Sequence, residues 1–117
     1  MLRRLAVLAL ATAIVSLAFA GPAAARIIGV VGPGSTIILK NGAGQRITQL
    51  HRGQRTFRIR DRSSFHNFHL AGPGVDKKTG VAFTGRRRWS LTLKTGNYDY
   101  WCDRHPFTMT GSFRVVS

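Results

Sequence analysis

Residues 98–111 read Tyr98-Asp99-Tyr100-Trp101-Cys102-Asp103-Arg104-His105-Pro106-Phe107-Thr108-Met109-Thr110-Gly111. Tyr98 to Cys102 has the composition of a strand, Asp103 to Thr110 that of a loop, and Gly111 to Val116 that of a closing strand. A thiol, an imidazole and a thioether therefore fall on one short connection. Cys102 sits at a strand end, which fixes its side chain. Pro106 follows His105 and favours a tight turn that can bring Met109 back towards Cys102. Three donors on so short a loop cost little closure entropy. Cys102 is also the sole cysteine of the 117 residues, so no disulfide can form within the chain.

Upstream of this stretch the sequence is a series of short apolar or alternating runs punctuated by glycine. Arg26 to Val31, Thr36 to Lys40, Arg46 to Leu50, Arg55 to Asp61, Phe65 to Leu70 and Trp89 to Lys94 read as strands. Gly32-Pro33-Gly34, Asn41-Gly42-Ala43-Gly44, Gly53 and Thr95-Gly96-Asn97 read as turns, and Ala71 to Gly80 as a loop. In Arg55 to Asp61, Phe57 and Ile59 share one face while Arg58 and Arg60 share the other, the mark of a half-buried strand with a basic outer side. Arg52, Arg55, Arg58, Arg60 and Arg62 together read as that basic face and its flanks, and Arg86-Arg87-Arg88 as a solvated turn or strand start. No helical period appears after residue 25. Seven to eight short strands at regular spacing predict an all-β fold, an antiparallel β-sandwich.

The first 25 residues stand apart. Arg3 and Arg4 precede an apolar run from Leu5 to Ala20, and small residues allow cleavage after Ala25 or after Ala20. This is the pattern of a secretory signal peptide. The run is shorter than the roughly 20 residues a membrane span needs, so no transmembrane span is expected after cleavage. Removal of residues 1–25 leaves residues 26–117 as one domain. Arg3 and Arg4 go with the leader, so the net charge falls from +14 to +12. Such a balance favours acidic proteins or anionic polymers as partners; no motif of a specific nucleic-acid reader accompanies it.

Soft sulfur donors with imidazole suit copper in both of its common oxidation states. One cysteine, two histidines and a weak axial methionine describe a blue-copper centre, whereas a zinc site would not recruit methionine. The second histidine must come from Phe65-His66-Asn67-Phe68-His69-Leu70. In a regular strand His66 shares the more apolar face with Phe68 and Leu70, and His69 lies on the other. A parity count from Phe57 gives the opposite answer if the strand runs unbroken, but Asp61-Arg62-Ser63-Ser64 reads as a bend that interrupts it. His66 is therefore favoured.

With these residues in place the chain resembles a small cupredoxin of the plastocyanin and amicyanin type. The likeness rests on His66-Asn67 and on the Tyr-x-Cys-x-x-His-Pro…Met-x-Gly run from Tyr100 to Gly111. It also rests on Asp61-Arg62-Ser63-Ser64 before the histidine, Gly72-Pro73-Gly74 after it, and the closing Gly-Ser-Phe-Arg-Val. It extends over roughly Gly53 to Val116. The resemblance implies a Greek-key sandwich with one mononuclear type 1 copper at one end. It implies His66, Cys102 and His105 as equatorial ligands, Met109 as the axial ligand, and Asn67 as a hydrogen-bonded tie between the ligand-bearing segments. Met109 follows Cys102 by seven residues, a loop between the amicyanin and plastocyanin lengths, with Thr108 as the residue extra to amicyanin.

The expected function is single-electron transfer by an exported, monomeric protein of the periplasm or cell surface, with an acidic redox partner. No open coordination position or second histidine-rich motif points to an enzyme. Copper carriage or storage is the alternative from the same ligands, although only one methionine lies outside the leader. A metal-free basic binding module is the alternative from the charge.

Overall fold

A computed structural model describes residues 23–117; the leader expected over residues 1–25 falls almost wholly outside them. Nine strands form: β1 Ile27–Val31, β2 Ile37–Lys40, β3 Gln49–His51, β4 Gly53–Asp61, β5 His69–Gly72, β6 Val75–Lys78, β7 Gly85–Leu93, β8 Gly96–Trp101 and β9 Thr110–Val116. They make two sheets, ordered β2-β1-β4-β7 and β3-β9-β8-β5-β6. The described residues contain no helix. The all-β sandwich is as the sequence predicts.

Three details differ from that reading. Two pairings are parallel, β1 with β4 and β3 with β9, so each sheet is mixed rather than purely antiparallel. Alternation reports which face a residue takes and is silent about strand direction, so this could not be read from the pattern. Nine strands replace seven to eight because Ala71 to Gly80 is not a plain loop: Gly72 pairs with Val75 across a two-residue Pro73-Gly74 turn, and β6 follows. Gly74 takes φ +71°, which glycine adopts without steric cost. The third strand starts later than expected. Arg46 makes only an isolated bridge to Lys40, and the pairing with β9 begins at Gln49.

The core follows from alternation. Ile27, Val31, Leu39, Phe57, Ile59, Leu91 and Leu93 point inward from the four-stranded sheet, and Leu70, Tyr98, Tyr100, Phe113 and Val115 from the five-stranded one. Flat aromatic rings fill the interval between them. Phe68 stacks on Tyr100 at 5.3 Å and Tyr98 on Phe113 at 5.1 Å. The tyrosine hydroxyls need partners once buried. Tyr98 Oη accepts from Lys94 N–H at 3.0 Å and lies within donating distance of Pro73 and Lys94 carbonyls. Tyr100 Oη accepts from Arg46. Phe68 and Tyr100 matter beyond the core, because each lies two residues from a candidate metal donor, His66 and Cys102.

Candidate metal centre

The segment from Arg62 to Phe68 joins β4 to β5 without strand structure. Asp61 starts the bend by accepting from Ser63 N–H at 3.0 Å, and Ser63 Oγ accepts from Phe65 N–H at 3.2 Å. His66, Asn67 and Phe68 are all buried. The regular strand expected over Phe65 to Leu70 therefore begins only at His69, and the parity argument that favoured His66 does not describe this stretch. His66 nevertheless turns inward, because its loop is pinned from both sides.

Thr79 is the pin on one side. It is buried, its N–H donates to the Phe68 carbonyl at 3.0 Å, and its Oγ1 accepts from Phe68 N–H at 2.9 Å. Its carbonyl accepts from Asn67 Nδ2 at 3.0 Å, and its hydroxyl donates to Asp61 Oδ2 at 3.3 Å. Nothing in Lys77-Lys78-Thr79-Gly80 marks this residue in sequence, since hydroxyl side chains are common in loops. On the other side Asn67 Nδ2 donates to Asp103 Oδ2 at 2.7 Å, and Asp103 N–H donates back to Asn67 Oδ1 at 2.8 Å. Asn67 thus ties the His66 segment to the residue after Cys102, as the resemblance implies.

The second donor segment is the β8–β9 connection. Cys102 N–H donates to the Met109 carbonyl at 3.0 Å, His105 N–H to the Cys102 carbonyl at 3.0 Å, and Met109 N–H to the His105 carbonyl at 2.9 Å. These bonds coil residues 102–109 into a closed loop. Cys102 is wholly buried and Met109 nearly so, while His105 is exposed.

His66, Cys102 and His105 converge, with one donor atom from each lying within 4.8 Å of the others. Cys102 Sγ is 3.6 Å from His66 Nδ1 and 4.0 Å from His105 Nδ1, and the two imidazoles meet edge to face at 4.8 Å. A metal ion about 2.0–2.3 Å from imidazole nitrogen and thiolate sulfur would hold such atoms roughly 3.5–4 Å apart, as the two sulfur–nitrogen separations are, with all three donor atoms within 4.8 Å of one another. The donor set therefore fits a metal ion, and one thiolate with two imidazoles is a set suited to copper. Both imidazoles present Nδ1 to the centre.

Two carboxyls flank the cluster with opposite electrostatics. Burial pushes the Asp61 carboxyl above its ordinary value, against the hydrogen bonds from Ser63 and Thr79 and the nearby His66. Asp103 is also raised by burial, but the hydrogen bonds from His69, Asn67 and Trp101 outweigh it and hold the carboxyl below the usual range. His69 is not one of the convergent donors. Its ring nitrogens lie 2.7 Å from Asp103 Oδ1 and 2.6 Å from Asp76 Oδ1, and its ring packs on Trp101 at 4.3 Å. Trp101 in turn donates to Asp103 at 2.9 Å, so its indole is a brace for the ligand loop.

No family model and no curated protein matches the sequence. Solved structures do. Reduced rusticyanin superposes with a TM-score of 0.55 at 15% identity over 78% of each chain. Rusticyanin from Thiobacillus ferrooxidans gives 0.52 at 18% over 78% of this chain and 76% of that one. The copper-containing nitrite reductase from Thermus scotoductus SA-01 gives 0.53 at 21% over 79% of this chain, which spans 22% of that chain. The chain has the cupredoxin fold.

Proposed function

We propose that this protein is a single-electron carrier with one mononuclear type 1 copper, held by His66, Cys102 and His105 in the plane and by Met109 on the axis. The observation that carries this reading is the convergence of one buried thiol and two imidazole nitrogens within 4.8 Å at one end of a cupredoxin sandwich. Copper, when bound, supplies a reversible one-electron couple. The chain supplies a rigid cage for it. The Asn67–Asp103 and Thr79 hydrogen bonds hold His66 and Cys102 in position whichever oxidation state is present, so little rearrangement accompanies each transfer. Met109 is buried, and its backbone carbonyl accepts from Cys102 N–H, which keeps the residue beside the thiol and supports its role as the weak fourth ligand.

Access also supports a carrier. Cys102 and His66 are buried and His105 reaches solvent. Phe107 and Phe65 are 94% and 65% exposed, and they lie close to His105 and His66 in sequence. Electrons would enter and leave at this end, against an acidic redox partner attracted by the cationic domain. Burial of the thiol favours retention of the metal over hand-off to another carrier. The leader pattern supports activity outside the cytoplasm, in a periplasm or at a cell surface, and the domain would act as a monomer and not as an enzyme.

Addition of Cu(II) to the metal-free protein tests the reading. An intense blue thiolate-to-copper absorption is expected, absent in Cys102→Ser; a colourless protein would overturn the assignment. Met109→Ala should retain copper and shift the reduction potential measured by voltammetry, because the axial ligand tunes the couple. Failure of that variant to bind any copper would remove Met109 from its axial role.

A further inference from the structure

The chain has four acidic residues, and none faces outward from the four-stranded sheet. Asp61 is buried. Asp76 and Asp99 belong to β6 and β8 of the other sheet, and Asp103 to the ligand loop. The outer face of β1, β4 and β7 carries the opposite charge in a concentrated form. Arg26, Arg58, Arg60, Arg86 and Arg88 line an open groove of about 420 Å³ there, joined by Arg87, whose register sets it across from the inward-facing Ile59, and with Ile28 among its apolar neighbours. Every cation in it is arginine.

The strand register makes this arrangement costly for the fold. Arg58 lies directly across from Arg88, and Arg60 across from Arg86. Like charges directly opposite one another on neighbouring strands destabilise a sheet. Among the described residues the only ion pairs are those of His69 with Asp76 and Asp103, so no carboxylate relieves the groove. Arg87 is held in place, its guanidinium 3.9 Å above the Phe83 ring. A row of paired, unneutralised guanidinia is a surface suited to an anion.

We infer that this groove binds a linear phosphate polyanion. Successive rows along β4 are about 7 Å apart and the paired strands about 4.8 Å apart, so an extended chain laid along the strand meets two guanidinia at each row. A tetrahedral phosphate presents oxygens in several directions and can accept from both arginines of a pair at once. A planar carboxylate matches one guanidinium fork. The concave shape admits a narrow chain better than a flat lipid surface. The groove shares no residue with the metal centre, so the protein can be tethered along its side while His105 stays free at its end. Binding in the groove requires no copper in the centre.

Fluorescence anisotropy of the full chain with labelled inorganic polyphosphate tests it. Binding is expected to weaken at least about tenfold in R58Q/R60Q/R86Q/R88Q, with the slope of log affinity against log salt reduced by roughly 3, at about 0.7 for each phosphate no longer neutralised. The edge-strand pair R86Q/R88Q should give about half that reduction. K77Q/K78Q/K94Q/R114Q removes the same charge from elsewhere and should change affinity less than about twofold. Equal weakening in the two quadruple variants would overturn the site in favour of bulk charge. Competition by polyglutamate as effective as that by polyphosphate would overturn the phosphate assignment. Self-association of the first variant with polyphosphate affinity intact would make the arginines a guard on the β7 edge and nothing more. The blue absorption of the copper-loaded variants, read in parallel, reports separately on the metal centre.

Discussion

Thr79 and Asp103 hold the candidate metal centre together without being candidate donors in it. Thr79 alone satisfies Phe68 N–H and shares Asn67 Nδ2 with Asp103 in a buried setting. Thr79→Val keeps the shape of the side chain and deletes the hydroxyl, leaving Phe68 N–H without that acceptor. The expected cost is about 1–3 kcal/mol, measured by urea unfolding, together with a displaced or weakened blue band. Asp103 gives a pH signature. Its folded carboxyl lies below the ordinary value of 3.8, so its contribution is complete above pH 3.8 and is lost as pH falls through the folded value. Asp61 has the opposite sign: its folded carboxyl is raised, so its ionisation detracts from stability as pH rises from 3.8 through the folded value. Asp103→Asn should therefore lower stability at neutral pH and flatten the acid-side decline, as unfolding at neutral pH and at about pH 3 would record. The convergent candidate donors His66, Cys102 and His105 were legible in sequence because thiol and imidazole carry distinctive chemistry. Their supports were not, because Asn67 apart they are ordinary polar residues whose partners lie 11 to 36 positions away.

The strands were legible wherever an apolar face alternates against a charged one, as in Phe57 and Ile59 against Arg58 and Arg60. They were illegible where both faces are polar, as in β6, whose Asp76, Lys77 and Lys78 are exposed, and a strand was read where there is none at His66 to Phe68, a loop buried at every position. Glycine placement shows the packing between elements more sharply. A Cβ on Gly111 of β9 would overlap the Tyr100 ring and hydroxyl, and one on Gly72 of β5 would overlap the Tyr98 ring. Both partners are wholly buried and cannot swing aside. Gly111→Ala should cost about 1–3 kcal/mol by overpacking and should also disturb the blue band, since Tyr100 leads directly into Trp101 and Cys102. Gly72→Ala should cost a similar amount and leave the band nearly unchanged. Equal spectral effects in the two variants would contradict the coupling of Tyr100 to the site.

The molecule as a whole places its candidate donors on two segments, 62–68 and 102–109, joined through Asn67 and Asp103. Metal bound there would clamp both to the folded state and not to the unfolded one. Copper at a hundred times its dissociation constant should add about 2.7 kcal/mol to stability, seen as a higher unfolding midpoint than that of the metal-free chain. The midpoint should not move in Cys102→Ser. The sulfur at the centre has a second use. Cys102 is the sole thiol and has no exposed surface. In the metal-free protein an alkylating reagent can reach it only when the sandwich or its end loop opens. Its rate of modification is thus a clock for that opening. Modification at the global unfolding rate would mean that the loop moves only with the whole fold, and a faster rate would reveal a locally breathing gate over the site.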